Sequence, residues 1–310
     1  MVSKHIFSTL ISIPILLILK VLTNKLPYTR QGFFCDDDDI RHPFREDTVN
    51  SRLMTLGFNI TGSVLIVTSE WWLIRHLTRK GRRLIVDRQL HPIILNFIFL
   101  LSSYICADLA STVSNTVAKK IISRLRPNFL AVCQPNLTLL CPPGSHEFIE
   151  NYTCNNVFYD DEYLSFPSGH SSSTAVFAVF FIYYLHKRCK FHEVVRSFIQ
   201  YAIFLCAIFI MSTRISDYKH RLADVLGGAC LGGFFALFFV THVMKSFKAN
   251  RYEIRDGDYD EDDPQDGPIQ AHINQPIYPT IVINKHTKPG TSSEYGSLSD
   301  SDKAKSYEQI

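Results

Sequence analysis

Six long apolar runs alternate with polar segments before residue 245. The runs extend over Ile6–Leu22, Thr55–Ile74, Pro92–Val113, Ser171–Leu185, Val194–Thr213 and Leu222–Met244. Most of them approach the ~20 residues that a helix needs to cross a hydrocarbon core about 30 Å thick. The run from Ser171 is the shortest, and it reaches that length only if its helix begins near Ser168. The pattern predicts an all-α fold built on a six-helix transmembrane bundle.

The two ends of the chain differ in character. The first run predicts a retained signal anchor, because Lys20 interrupts it and no small-residue cleavage site follows. Beyond Met244 the chain becomes acidic, rich in Ser and poor in large apolar residues. We therefore expect a six-span domain over residues 1–246 and a disordered cytoplasmic tail over residues 247–310.

Positive charge predicts the orientation of the spans. The segments 75–88 and 187–196 are rich in Lys and Arg, which is typical of cytoplasmic loops. Both termini are then cytoplasmic, and the loops 23–54, 114–167 and 214–221 face outside or the lumen. We expect the membrane to be the plasma membrane, with an internal membrane as the alternative.

The predicted outer loops carry features of an oxidising compartment. Asn136 and Asn151 begin glycosylation sequons in the long outer loop. Four of the eight cysteines also lie in the outer loops: Cys35, Cys133, Cys141 and Cys154. They predict one or two disulfides and leave the pairing open. Farther along, Gly228-x3-Gly232 predicts close helix packing, either within the chain or between subunits.

A first candidate site for an anion lies at the outer end of the third span. Lys119 and Arg126 stand where the charge rule disfavours cations, and their spacing of seven residues places them on the same side of a continuous helix. Pro127 is the expected stop. A wrong orientation, or cations that complement a helix dipole, are the alternatives. The functional interpretation is a pair of cations for a phosphate.

A second candidate lies at the start of the fourth span, in Pro167-Ser168-Gly169-His170. Free backbone N–H groups and the positive end of the helix dipole make such a terminus an anion site. Gly169 lets the backbone approach a ligand closely, and Ser168 adds a hydroxyl donor. His170 can change protonation near neutral pH.

The third candidate is the turn before the last span. Arg214 offers another guanidinium fork, and His220 and Asp224 share a face if the helix begins by His220. A carboxylate against one imidazole nitrogen leaves the other free to attack. The alternative is an ordinary helix-surface contact. Because successive spans alternate in direction, all three candidates fall on one face of the membrane.

These residues resemble the three signature motifs of the phosphatidate phosphatase type 2 superfamily. The motifs are Lys119-x6-Arg126-Pro127, Pro167-Ser168-Gly169-His170 and Thr213-Arg214-x5-His220-x3-Asp224. Thr213 departs from the usual Ser but keeps a hydroxyl. The segments LPYTRQGFFCDDDDIRHPF and RLRPNFLAVCQP resemble the animal lipid phosphate phosphatases in particular, and the likeness covers roughly residues 1 to 245.

The resemblance implies a haloperoxidase-like helical core and a metal-independent lipid phosphate phosphatase without a cofactor. It assigns His220 as the nucleophile, Asp224 as the group that orients it and His170 as the acid that protonates the leaving oxygen. The residues that it implies for phosphate binding are Lys119, Arg126, Ser168, Gly169 and Arg214. The family's substrates are phosphatidate, lysophosphatidate, sphingosine-1-phosphate and ceramide-1-phosphate.

Three alternatives compete with this interpretation. They are a catalytically weak signalling or adhesion scaffold of the same family, a transporter, and a sugar-phosphate phosphatase. The intact motif residues disfavour the first, the position of the charges at one face disfavours the second, and the first outer loop disfavours the third. We expect phospholipid and sphingolipid phosphates and the bilayer as partners, leave a homo-oligomer open, and expect no nucleic acid.

Overall fold

The computed structural model describes residues 2–79, 92–156, 160–189 and 193–249, and these are mostly helical. In chain order the helices and strands are α1 (Val2–Asn24), β1 (Phe33–Phe34), α2 (Ser51–Arg79), α3 (Pro92–Ile122), α4 (Phe129–Cys133), α5 (Leu137–Leu140), β2 (Phe148–Ile149), α6 (Gly169–Arg188), α7 (Glu193–Ser216) and α8 (Leu222–Ala249). Short 3-10 helices cover Asp38–Ile40 and Asp160–Tyr163.

Each of the six predicted spans corresponds to a long helix, but five of them are long and apolar enough to cross a membrane. These five are α1, α2, α3, α7 and α8. Helix α6 has 20 residues and begins with Gly-His-Ser-Ser-Ser-Thr, so its first turns are polar. Six membrane spans therefore stay a prediction. Helix α8 continues to Ala249, past the predicted boundary at residue 246, and the rest of the predicted tail lies outside the described residues.

Helix α6 occupies the centre of the bundle, which explains why it tolerates polar residues. It packs against α2, α3, α7 and α8. Its aromatic side chains Phe177, Phe180, Phe181 and Tyr184 are buried and contact one another or Tyr104 of α3 in edge-on or tilted arrangements. Large rings of this kind dominate the energetics of a core. By contrast, α7 exposes a continuous apolar face that suits contact with lipid.

Two glycines of α8 allow it to lie directly against α6. A Cβ atom on Gly228 would stand 2.3 Å from the Ser168 carbonyl oxygen, and one on Gly232 would stand 2.1 Å from the Ser172 carbonyl oxygen. Distances this short are impossible for a side chain, so only glycine fits at either position. Of the two alternatives, the Gly-x3-Gly pair packs within the chain, and it fixes the start of α6 against α8.

A small cap covers the end of the bundle where α3 finishes. Disulfides join Cys35 to Cys141 and Cys133 to Cys154, so all four cysteines of the predicted outer loops are paired. Strands β1 and β2 pair antiparallel in the same cap. Asn136 and Asn151 are both exposed there, and their glycosylation stays a prediction.

Candidate active site

The three motif segments meet at one end of the bundle. The backbone N–H of Ser168 donates to the Asp224 carbonyl oxygen over 2.9 Å, which ties the start of α6 to the start of α8. Lys119 Nζ, near the end of α3, donates to the Leu164 carbonyl oxygen over 2.9 Å. The structure therefore brings together the three segments that the alternation of spans predicted to share one face.

The predicted geometry of the Lys119 and Arg126 pair is wrong. Helix α3 ends at Ile122, because Ser123 adopts a left-handed conformation with φ of 49°, and Arg126 lies in the following loop. The backbone of Arg126 instead bonds to Glu162, with its N–H 2.9 Å from the Glu162 carbonyl oxygen. Arg126 Nε is buried and has no hydrogen-bond partner in the described part of the chain. The position of the Arg126 guanidinium is therefore set by the loop after α3 and not by the helix itself.

The start of α6 has the form expected of an anion site. Ser168 is a completely buried N-cap whose hydroxyl oxygen accepts from the Ser171 hydroxyl over 3.1 Å. Around Gly169 there is open space, since an added Cβ would meet only Asn115 Oδ1, at 3.9 Å. An approaching ligand can therefore reach the backbone at Gly169 without displacing a side chain.

Arg214 is almost wholly buried and held by two carboxylates. Its Nη1 lies 2.9 Å from Asp47 Oδ1, and its Nη2 lies 2.9 Å from Asp217 Oδ2. The Thr213 hydroxyl accepts from Nε over 3.2 Å, so the residue that departs from the family pattern orients the guanidinium. Asp217 in turn accepts from the backbone and hydroxyl of Thr48, which fixes the first loop to the site.

His220 and Asp224 are close but make no direct hydrogen bond. Helix α8 begins at Leu222, so the condition that the helix begins by His220 is not met, and His220 Nδ1 lies 4.0 Å from Asp224 Oδ2. The Ser165 hydroxyl lies between them, 3.5 Å from the imidazole nitrogen, and it donates to the carboxylate over 2.6 Å. Arg124 Nη1 also donates to Asp224, over 2.9 Å.

Sequence reasoning gave no role to Ser165, Asp47 and Asp217, and it did not foresee that Arg124 would pair with Asp224. Arg124 stood in the basic segment near Arg126, and its position offered a signal. Nothing in the spacing of the other three pointed to the site, because each reaches it from a loop.

The protonation of His220 follows from its surroundings. The side chain is 4% exposed, and burial is the main cause that holds its pKa well below the usual value. The positive charges of Arg126 and Lys119 act in the same direction. The imidazole is therefore neutral at neutral pH, as a nitrogen nucleophile must be.

His170 joins the first loop to Arg214. Its Nε2 lies 3.1 Å from the Val49 carbonyl oxygen and 3.4 Å from Arg214 Nη1. The ring is half-buried and faces a cavity of about 880 Å³, which Lys119 and Gly169 also line. Helices α1, α2, α3 and α6 contribute to the walls of this cavity, which we call the four-helix cavity.

No group of three or more His, Cys, Asp or Glu side chains within residues 2–79, 92–156, 160–189 and 193–249 is placed to hold a metal ion. The site instead combines a buried imidazole, several cations and a helix N-terminus. This combination defines a helical membrane protein with a candidate site for phosphoryl groups.

The chain belongs to the PAP2 superfamily, whose family model matches residues 93–248. It is 33% identical to human phospholipid phosphatase 2 over 72% of this chain and 76% of that protein. It is 31% identical to rat phospholipid phosphatase 1, over 74% of this chain and 80% of that protein. A Drosophila melanogaster putative phosphatidate phosphatase is 31% identical over 72% of this chain, and the match spans 63% of the Drosophila protein. No solved structure matches the chain.

Proposed function

We propose that this protein is an integral-membrane phosphatase that hydrolyses phosphate monoesters of lipids through a phosphohistidine at His220. The observation that carries the proposal is a buried, neutral imidazole placed among cations at the start of a helix. Membership of the PAP2 superfamily and the phosphatase names of the relatives support the same class of reaction.

In the first step His220 attacks phosphorus through Nε2. Nδ1 faces Ser165 and Asp224, so Nε2 is the nitrogen left for the substrate. The nitrogen–phosphorus bond forms while the bond from phosphorus to the lipid oxygen breaks. The bound phosphate dianion favours the protonated form of His170, and His170 gives that proton to the lipid oxygen, so the product leaves as an alcohol. The negative carboxylate of Asp224 stabilises the positive charge that develops on the imidazole.

In the second step water attacks the phosphohistidine and inorganic phosphate leaves. His170, now neutral, takes the proton from the water, and His220 returns to its neutral form. Lys119, Arg126 and Arg214, with the Ser168 hydroxyl and the backbone N–H of Gly169, stabilise the charge on the phosphoryl oxygens in both steps. The sequence of steps consumes one water and needs neither metal nor cofactor.

The proposed substrates are phosphatidate, lysophosphatidate, sphingosine-1-phosphate and ceramide-1-phosphate. Their acyl or sphingoid chains stay in the bilayer while the phosphate reaches the end of the bundle. We propose that α6 crosses the membrane in addition to the five helices that are long and apolar enough, which gives six spans. We also propose that both termini are cytoplasmic and that the site faces outside the plasma membrane. Lys and Arg in the predicted cytoplasmic loops support this orientation.

Phosphate release from phosphatidate by the purified full-length protein in detergent micelles, with a chelator present, tests the proposal. Wild-type protein is expected to release phosphate, and the His220→Ala variant is expected to lose this activity. His146→Ala is the matched control, because His146 is exposed and pairs with Asp36 in the cap. Substrate labelled with radioactive phosphate should leave an acid-labile label on wild type but not on His220→Ala. Full activity of His220→Ala contradicts the assigned nucleophile, and inactive wild type favours the scaffold alternative.

A further inference from the structure

Residues 45–48 of the first loop lie against the turn between α7 and α8. Arg45 Nη1 donates to the Ser216 carbonyl oxygen over 2.9 Å. Thr48 donates to the two carboxylate oxygens of Asp217, over 2.9 Å from its backbone N–H and over 2.7 Å from its hydroxyl. Both ends of this segment are therefore fixed to the turn, and the proposed mechanism gives neither contact a role.

Asp47 lies between these two anchors and forms an ion pair with Arg214. Its Oδ1 atom is 2.9 Å from Arg214 Nη1, and its side chain is 41% exposed. The second carboxylate on Arg214, that of Asp217, is only 6% exposed and is also bound by Thr48. Asp217 is thus part of the packed turn, whereas Asp47 is the partner that a ligand from solvent can replace.

Arg214 has little hydrogen-bonding capacity left for a ligand while Asp47 is in place. A guanidinium carries five N–H groups. Nε and Nη2 donate to the Thr213 hydroxyl oxygen, each over 3.2 Å, and Nη2 also donates to Asp217 over 2.9 Å. One N–H of Nη1 donates to Asp47. Among the contacts of the described residues, only the second N–H of Nη1 is left, and Nη1 lies 3.4 Å from His170 Nε2.

This arrangement conflicts with the role that the proposed mechanism gives to Arg214. A guanidinium binds phosphate most strongly through two parallel N–H···O bonds, and a carboxylate uses the same donors in the same geometry. A phosphate oxygen can therefore take the position of Asp47 Oδ1, so that the number of hydrogen bonds on Arg214 stays the same. Because a phosphate monoester dianion carries more negative charge than a carboxylate, the cations of the site favour this exchange.

We propose that Asp47 competes with phosphate for Arg214. Its carboxylate occupies the guanidinium in the empty site, leaves it when the lipid phosphate binds, and takes it back when inorganic phosphate departs. The inference rests on the proposed phosphatase function. Asp47 sets the affinity for phosphate and takes no part in making or breaking bonds. A carboxylate that merely held Arg214 in the orientation that phosphate needs would have effects of the opposite sign.

The test measures how tightly inorganic phosphate binds to the full-length protein in detergent micelles. Asp47→Ala is expected to lower the inhibition constant of phosphate against phosphatidate hydrolysis about three- to tenfold, between the effects of an exposed ion pair and of a hydrogen bond to a charged group. KM for phosphatidate should fall as well. Asp47→Asn keeps an acceptor oxygen but loses the charge, so its effect should be smaller. A second readout, the rise in melting temperature on addition of phosphate, needs no turnover and should begin at a lower phosphate concentration in Asp47→Ala.

The control Glu46→Gln removes the same charge from the neighbouring exposed residue and should leave the inhibition constant unchanged. An equal decrease in Glu46→Gln would assign the effect to net charge and overturn the inference. A higher inhibition constant and KM in Asp47→Ala would show that Asp47 supports Arg214, which also overturns it, as would unchanged phosphate binding. If Asp47→Ala fails to fold, Asp47→Asn decides by the same signs.

The two proposals fail in different ways. If wild type hydrolyses lipid phosphates but the Asp47 variants bind phosphate no more tightly, the phosphatase function stands and the competition is refuted. If wild type releases phosphate from no lipid, the proposed function fails, and the melting-temperature readout still decides whether Asp47 and phosphate exclude each other.

Discussion

Ser165 connects the proposed nucleophile to its carboxylate, and removal of its hydroxyl should slow phosphoryl transfer. The side chain is completely buried, donates to Asp224 over 2.6 Å and lies 3.5 Å from His220 Nδ1. Replacement by Ala leaves the imidazole beside a small void and deprives the carboxylate of one donor. Because Arg124 and the backbone of Arg221 still donate to Asp224, the carboxylate itself should stay in place.

The magnitude follows from the hydrogen bond that is lost. A hydrogen bond to a charged group contributes roughly 1.5–3 kcal/mol. The two remaining donors argue for the lower end of this range. A change of about 1.36 kcal/mol in the activation free energy alters a rate tenfold. We therefore expect Ser165→Ala to lower kcat about tenfold, with little change in KM because Ser165 does not touch the phosphate in the proposed mechanism.

The assay is steady-state phosphate release from phosphatidate in micelles, combined with the rate of phosphoenzyme formation. Ser165→Thr keeps a hydroxyl and should recover most of the rate. Ser103→Ala is a matched control, since Ser103 is equally buried but donates to Phe99 within its own helix. Wild-type kcat in a folded Ser165→Ala protein would refute the reasoning. If Ser165→Ala lowers both kcat and the melting temperature to a similar degree, the role of Ser165 is structural.

Two further predictions concern packing and pH. Gly232→Ala should lower the melting temperature strongly, because the new Cβ would stand 2.1 Å from the Ser172 carbonyl oxygen. The control Gly233→Ala meets nothing within 4 Å and should leave the melting temperature unchanged. Equal effects of the two substitutions in thermal-unfolding measurements would contradict the packing of α8 on α6. Since burial and neighbouring cations lower the pKa of His220 below its usual value of about 6.5, the acid limb of kcat/KM against pH should lie below that pH. As pH falls, His220 takes up a proton in the unfolded chain before it does so in the folded protein, so the free energy of unfolding should also decrease below about pH 6.5. An acid limb of kcat/KM at or above pH 6.5 would argue against a neutral nucleophile in this environment.

The sequence was sufficient for those parts of the molecule that depend on local pattern. Apolar runs mark the six long helices, and alternation of their direction predicts that Lys119, His170 and His220 meet at one end. Motif spacing led to the superfamily, which the family match confirms. The cysteines of the outer loops were recognised as disulfide candidates, but their pairing depends on how the cap folds and could not be read from spacing.

By itself, then, the amino-acid sequence determined which segments are helical, which ends face the same way and which residues form the motifs, because hydrophobic periodicity and chain direction are local properties. The tertiary structure alone decided that Arg126 leaves the helix, that Ser165 stands between His220 and Asp224, and that Asp47 pairs with Arg214. These features depend on contacts between segments distant in the chain. Such contacts form only when whole helices pack, and no local pattern records them.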